Sequence, residues 1–120
     1  MKPKSTHSLK RVFNATRYSW QGLSAAFKHE AAFREEIILS AIMLPIAFWL
    51  DVTQVERILL VASVILVLVV ELINSAIEAI VDRIGPELHE LSGRAKDIGS
   101  AAVMLTMLLT GYTWLEIVFL

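Results

Sequence analysis

The chain has 120 residues and no cysteine, and its 11 lysines and arginines nearly balance its 12 aspartates and glutamates. The absence of cysteine excludes disulfides, thiolate zinc sites and cysteine nucleophiles, and the net charge of −1 gives no sign of a nucleic-acid partner. Hydrophobic residues make up 56% of the chain, more than a soluble domain of this length can bury. The composition therefore predicts an integral membrane protein.

Residues 8–29 predict an amphipathic helix that lies along the membrane surface. One stripe at helical spacing is largely apolar, while lysine, arginine and amide residues fall mostly elsewhere. The stripe consists of Leu9, Val12, Phe13, Thr16, Trp20, Leu23 and Phe27. Tyr18 and Trp20 are typical of the headgroup region. We expect no cleaved signal peptide here, because the first 36 residues are polar or amphipathic throughout.

Three later segments, at about 31–50, 55–82 and 98–118, predict membrane-spanning helices, which makes the expected fold all-α. The uncharged part of the first segment, 37–50, is short for a hydrocarbon core of about 30 Å, so the turn before it must complete the crossing. The charges of that turn either snorkel to the interface or form a polar site. They belong to Glu30, Arg34, Glu35 and Glu36. Between the first two segments, Thr53 and Glu56 have the spacing of a helix-capping box.

Basic residues predict the orientation. Seven lie in residues 1–36 and three in the polar loop 83–97, whereas Arg57 alone lies on the other side. Because cytoplasmic segments are enriched in lysine and arginine, we expect a cytoplasmic N-terminus and 83–97 loop and a C-terminus outside.

The second span carries a polar stripe. Glu71, Asn74, Glu78 and Asp82 share one helical face, and a charged group at mid-bilayer costs a few kcal/mol even on lenient scales. Glue between helices would explain Asn74, but carboxylates along the same face indicate a functional site.

This stripe leads towards the 83–97 loop, whose polar residues include His89, Ser92, Arg94, Lys96 and Asp97. Carboxylates hold Mg²⁺ together with phosphate oxygens, and a lysine neutralises phosphate charge. The set is typical of phosphoryl transfer, although the chain contains neither a P-loop nor a kinase glycine-rich loop. A proton-coupled transporter or channel using Glu71, or a regulatory membrane subunit, remains an alternative at this point.

Three sequence blocks resemble the signatures of the prokaryotic integral-membrane diacylglycerol kinases. They are Glu30-Ala-Ala-Phe-Arg34, Val70-Glu-Leu-Ile-Asn-Ser-Ala-Ile-Glu-Ala-Ile-Val-Asp-Arg83 and His89-Glu-Leu-Ser-Gly-Arg-Ala-Lys-Asp97, and Tyr18-Ser-Trp20 extends the match. The resemblance implies a homotrimer of three-span subunits in the bacterial inner membrane. It also implies Mg·ATP-dependent phosphorylation of diacylglycerol to phosphatidic acid at the cytoplasmic interface.

The resemblance also implies roles for individual residues. Glu71 matches the general base, Glu30 and Glu78 match the Mg²⁺-binding carboxylates, and Lys96 matches the lysine that contacts phosphate. Further residues are implied for binding lipid or nucleotide, and they are Asn74, Asp97, Arg11, Tyr18, His89 and Ser92. A related enzyme phosphorylates undecaprenol, which stays open as an alternative acceptor.

Overall fold

Four α-helices make up the computed structural model, which describes residues 4–85 and 89–120, with side chains from residue 8 onward. In chain order they are α1 (Lys4–His29), α2 (Ala31–Trp49), α3 (Gln54–Ile84) and α4 (Glu90–Trp114), and a π-helical turn, Leu115–Phe119, follows α4. These ranges contain no strand. The all-α class predicted from the sequence is therefore confirmed for the described part of the chain.

Helix α1 is the predicted amphipathic helix, and it packs against α2 and α3 near its C-terminal end. Apolar side chains such as Phe13 and Trp20 are about 70% exposed, at 69% and 71%. Arg34 of α2 donates from one guanidinium nitrogen to the carbonyl oxygens of Phe27 (2.8 Å) and Lys28 (2.9 Å). Arg34 thus satisfies carbonyl groups that the end of α1 would leave unpaired.

Two helical segments within the described ranges, Gln54–Ile84 and Glu90–Phe119, are long and apolar enough to cross a membrane. Helix α3 alone, with 31 residues, extends for about 46 Å at 1.5 Å per residue. Helix α2 has 19 residues and carries Arg34, Glu35 and Glu36 in its first two turns. With these three charges α2 is less uniformly apolar than the other two segments, so the first of the three predicted spans remains a prediction.

Hydrogen bonds join α3 and α4 at the end of the molecule where α4 finishes. The Thr110 hydroxyl donates to the Ser63 carbonyl (2.9 Å), and the Trp114 indole donates to the Leu60 carbonyl and the Ser63 hydroxyl, both at 3.2 Å. Leu60 and Val64 are buried beside these groups. The pairing brings polar groups together on apolar helices, where an unsatisfied donor would be costly.

The turn between α2 and α3 is fixed by side chains. Thr53 and Glu56 form the predicted capping box: the Glu56 N–H donates to the Thr53 hydroxyl (3.2 Å), and the Thr53 N–H donates to the Glu56 carboxylate (2.9 Å). Arg57 donates to the carbonyl oxygens of Ala47 (3.1 Å) and Leu50 (2.7 Å). The end of α2 and the start of α3 are therefore held together in one turn.

The polar connection is shorter than the predicted loop 83–97, because α4 begins at Glu90. His89 caps α4, with its ring nitrogen Nδ1 accepting from the Leu91 N–H at 3.0 Å. Gly93 lies within α4, and its N–H donates to the His89 carbonyl at 3.0 Å. A helix interior tolerates one glycine at a modest cost. Residues 86–88 of the predicted loop lie outside the described residues.

Candidate functional site

The polar stripe of α3 passes from the interior to the surface. Glu71 and Asn74 are buried, at 5% and 7% exposure, whereas Glu78 is partly exposed and Asp82 is exposed. At 1.5 Å per residue, Glu78 lies about 10 Å and Asp82 about 16 Å along the axis from Glu71. A water-soluble molecule that reaches Asp82 and an apolar molecule that reaches Glu71 would therefore meet along this face.

Asn74 connects the buried and exposed parts of the stripe. Its amide nitrogen donates to the Glu78 carboxylate over 3.5 Å, a long hydrogen bond. Its amide oxygen is buried and has no hydrogen-bond partner. Gly99 of α4 packs directly against this amide, with space too small for a side chain. Asn74 is therefore oriented by α4 as well as by its own helix.

Acidic side chains from three places in the chain lie near Glu71: Glu30 before α2, Glu36 within α2 and Glu78 on α3 itself. Glu30 and Glu78 both lie close enough for their charges to repel that of Glu71, and Glu71 in turn repels Glu36. Glu30 precedes α2, at the point where α1 ends and its N–H donates to the Ala26 carbonyl at 2.8 Å. The break between α1 and α2 therefore delivers Glu30 to the carboxylates of α3, although the two lie far apart in the sequence.

Glu36 is a buried acidic residue to which the sequence assigned no definite role. It is 7% exposed, and its oxygen Oε2 has no hydrogen-bond partner. The available signal was a third charge in the first two turns of an apolar helix. A charge in that position does not show which of Glu35 and Glu36 is buried, and in the structure Glu35 is exposed.

Lys96 reaches from α4 to the exposed end of the stripe. Its ammonium nitrogen lies 2.7 Å from the Asp82 carboxylate. The hydrogen bond to Asp82 and the charge of Asp82 raise the pKa of Lys96 above its ordinary value. Lys96 precedes the uncharged run that begins at Ile98. With its pKa raised, Lys96 carries a positive charge beside the stripe at neutral pH.

A groove of about 710 Å³ runs between α1 and α3 and reaches Glu30. Small and apolar residues form most of its wall, including Gly22, Ala26 and Leu72. Ser75 also lines it, with a buried hydroxyl that has no hydrogen-bond partner. The groove offers an apolar path towards the acidic residues beside Glu71.

The other predicted site residues make no contact with Glu71, Asn74 or Glu78 among the described hydrogen bonds and ion pairs. Arg11 and Tyr18 are exposed on α1, and the Arg17 guanidinium lies 5.2 Å from the centre of the Tyr18 ring. Of the other three, His89 caps α4, Ser92 lies in its first turn and Asp97 lies at the start of its third turn. Among the described side chains, no hydrogen bond or ion pair joins any of these five residues to Glu71, Asn74 or Glu78.

The described side chains include no group of three or more histidine or acidic residues arranged to hold a metal ion. The carboxylates of Glu30 and Glu78 are hard oxygen donors near Glu71. Mg²⁺ is usually bound through one or two carboxylates, with waters and substrate phosphates completing its ligands. The donor set therefore fits Mg²⁺ bound together with a nucleotide better than a metal held by protein alone.

Comparison with known proteins identifies the family. The sequence profile described as "Prokaryotic diacylglycerol kinase" matches residues 17–118. A protein of Haemophilus influenzae named "Diacylglycerol kinase" is 52% identical over 114 residues, covering 95% of this chain and 97% of its own length. Proteins with the same name are 54% identical in Escherichia coli K12 (92% and 90% covered) and 50% identical in Pseudomonas aeruginosa (95% and 93%). This chain belongs to the prokaryotic diacylglycerol kinase family.

Proposed function

We propose that this protein is a lipid kinase of the bacterial inner membrane, which transfers the γ-phosphoryl group of ATP to the primary hydroxyl of diacylglycerol and forms phosphatidic acid. The observation that carries the proposal is the polar stripe from buried Glu71 to exposed Asp82, with Lys96 beside its exposed end. ATP stays in water and diacylglycerol stays in the bilayer. Their reaction needs a site with this gradient of exposure, and the membership of the family supports the same chemistry.

Glu71 is the proposed general base. Its carboxylate takes the proton of the lipid hydroxyl as the hydroxyl oxygen forms a bond to the γ-phosphorus. The bond between that phosphorus and the bridging oxygen breaks, and ADP leaves with the electron pair. Burial of Glu71 at 5% exposure excludes water, which would otherwise compete as the acceptor.

Lys96 and Asn74 are proposed to position the reactants. The ammonium of Lys96 binds phosphate oxygens and offsets their negative charge. Asn74 orients the Glu78 carboxylate, to which its amide nitrogen donates over a long 3.5 Å. Because most of the catalytic effect in phosphoryl transfer comes from positioning and charge stabilisation, these residues contribute without forming a covalent intermediate.

Glu30 and Glu78 are the proposed residues for holding Mg²⁺, which when bound would neutralise charge on the phosphate oxygens. Arg11, Tyr18, His89, Ser92 and Asp97 are proposed to contact the nucleotide or the lipid headgroup. His89, Ser92 and Asp97 are near Lys96 in the chain, at the start of α4.

The groove between α1 and α3 is the proposed entry for the lipid. Its walls are mostly apolar and end at Glu30, which lies within electrostatic range of Glu71. An acyl chain can pack on this surface with its glycerol end towards the carboxylates. Such an entry would bring the hydroxyl of the lipid below the headgroup level, towards the depth of Glu71.

The topology proposed for the membrane follows the basic residues and the resemblance. Three spans place the N-terminus and the 83–97 connection in the cytoplasm and the C-terminus in the periplasm. Three copies form a homotrimer. Many exposed apolar side chains along α2, α3 and α4 support contact with lipid or with other subunits.

The test is turnover on defined lipids. The purified protein in detergent is mixed with Mg·ATP and, separately, with diacylglycerol, undecaprenol or ceramide, and ADP release is followed together with the phosphorylated lipid. We expect phosphatidic acid from diacylglycerol. If only undecaprenol is phosphorylated, undecaprenol and not diacylglycerol is the acceptor. If no lipid is phosphorylated, the transporter or regulatory-subunit alternatives are favoured.

A further inference from the structure

We propose that Asp82 is a positioning residue for the reaction, which holds the ammonium of Lys96 where it meets the phosphates of ATP. This inference rests on the proposed function, because it takes Lys96 to be the lysine that contacts phosphate. It assigns a role to the one acidic residue of the α3 stripe that the proposed mechanism does not use.

The contact between the two residues is direct and joins two helices. The Lys96 nitrogen and the Asp82 oxygen Oδ1 are 2.7 Å apart, a short distance typical of a charge-assisted hydrogen bond. The other ion pair among the described side chains, Glu90 with Arg94 at 3.2 Å, lies within α4. Lys96 with Asp82 is thus the ion pair of the described chain that sets one helix of the site relative to another.

A lysine side chain needs such a partner if its ammonium group is to be held in one position before the nucleotide binds. Its four-carbon side chain has many rotamers, and restricting them at the moment of nucleotide binding weakens that binding. Asp82 restricts them beforehand. An ammonium has three N–H donors, so the bond to Asp82 leaves two for phosphate oxygens.

Asp82 also lies at the right level of the stripe. It follows Glu78 by one helical turn, about 6 Å along the axis, and the charge of Glu78 also acts on Lys96. The ammonium therefore lies at the Asp82 end of the stripe, within range of the charge of the proposed Mg²⁺ carboxylate. This is where the phosphates of a nucleotide bound at Glu78 would extend towards water.

A contribution to the stability of the fold is a weaker explanation for the ion pair of Lys96 with Asp82. The side chains of Lys96 and Asp82 are 44% and 65% exposed. Ion pairs with this exposure contribute little to stability, because water and salt screen them. The close contact is better explained by the position that it gives to Lys96.

The experiment compares Asp82→Ala and Asp82→Asn with Glu90→Ala, which removes the exposed ion pair within α4 and serves as the matched control. Steady-state kinetics give kcat and the KM values for Mg·ATP and for diacylglycerol, and titration calorimetry gives the affinity for a non-hydrolysable ATP analogue. For Asp82→Ala we expect a rise of about tenfold in the KM for Mg·ATP and a matching loss of analogue affinity, as for the loss of one charged hydrogen bond. The KM for diacylglycerol and the thermal midpoint should stay near wild type.

Asp82→Asn keeps an oxygen that accepts from Lys96, so it should recover part of the lost affinity for ATP. Glu90→Ala should leave all values unchanged. Unchanged ATP binding in Asp82→Ala would overturn the proposal, as would an equal loss in Glu90→Ala or a parallel rise in both KM values with a lower thermal midpoint. Failure of the proposed function would appear separately, as wild-type protein that phosphorylates no lipid.

Discussion

Gly99 of α4 lies directly against the side-chain amide of Asn74 on α3, and a β-carbon at position 99 would overlap the amide oxygen. The carbon Cγ of Asn74 would be 3.2 Å from the same β-carbon. The two helices therefore approach closely at the level where the stripe passes from buried Glu71 to partly exposed Glu78. The orientation of Asn74 towards Glu78 depends on the absence of a side chain at Gly99.

Gly99→Ala should therefore reduce lipid kinase activity by about tenfold or more, because a displacement of about 1 Å near a reaction centre costs as much or more. Replacing a glycine inside a helix by alanine normally gains up to about 1 kcal/mol. Here the overlap with Asn74 should cancel that gain. Turnover with Mg·ATP and diacylglycerol and the thermal midpoint are measured on the same preparation.

Gly111→Ala is the matched control, since a β-carbon there meets nothing within 4 Å. It should keep wild-type turnover and be equal or higher in stability. If Gly99→Ala also keeps wild-type turnover, the orientation of Asn74 does not matter for the reaction.

Features based on local spacing were predictable from the sequence. The capping box of Thr53 and Glu56 depends on residues three positions apart, and the shared face of Glu71 and Glu78 follows from helical periodicity alone. Both are present in the structure.

Features that depend on how helices pack were not predictable. Residue spacing alone did not distinguish a buried Glu36 from an exposed Glu35, because the difference lies in which face of α2 meets α3. The hydrogen bonds from Arg34 to the end of α1 also depend on how α1 and α2 meet, so residue spacing did not indicate them. The predicted loop was too long because its polar residues were all assigned to the connection, whereas α4 already begins at Glu90, with His89 as its cap.

Glu71→Gln tests the proposed base. Glutamine has nearly the same volume and side-chain length as glutamate, but its amide cannot take the proton of the lipid hydroxyl. Turnover should therefore fall by about 10²-fold or more. The protein should still assemble in detergent, which size-exclusion chromatography checks. Turnover near the wild-type value would rule out Glu71 as the base.

Glu78→Gln tests the proposed metal site. A glutamine keeps an oxygen near Asn74 but removes the negative charge that attracts Mg²⁺, so half-maximal activity should require about tenfold more Mg²⁺. Activity is measured over a range of Mg²⁺ at saturating ATP. Glu90→Gln, an exposed acidic residue on α4, serves as the control for general charge effects. A Mg²⁺ dependence equal to wild type would count against a ligand role for Glu78.

The last prediction concerns the hydrogen bonds that join α3 to α4 away from the proposed site. The Thr110 hydroxyl lies 2.9 Å from both the Ser63 carbonyl on α3 and the Thr106 carbonyl on its own helix. Thr110→Val keeps the branched shape and removes the donor. Hydrogen bonds between membrane helices contribute about 0.6 kcal/mol on average and at most about 1.7, so the free energy of unfolding should fall by an amount in this range.

Thr113→Val is the control, because the Thr113 hydroxyl donates only within α4, to the Leu109 carbonyl at 2.8 Å. Both variants are unfolded reversibly in mixed micelles of a mild detergent and dodecyl sulfate, and their midpoints are compared with wild type. Thr110→Val should lower the midpoint more than Thr113→Val, while both retain turnover, since neither residue lies on the α3 stripe. An equal effect in the two variants would mean that the bond within α4, rather than the bond to α3, accounts for the contribution of Thr110.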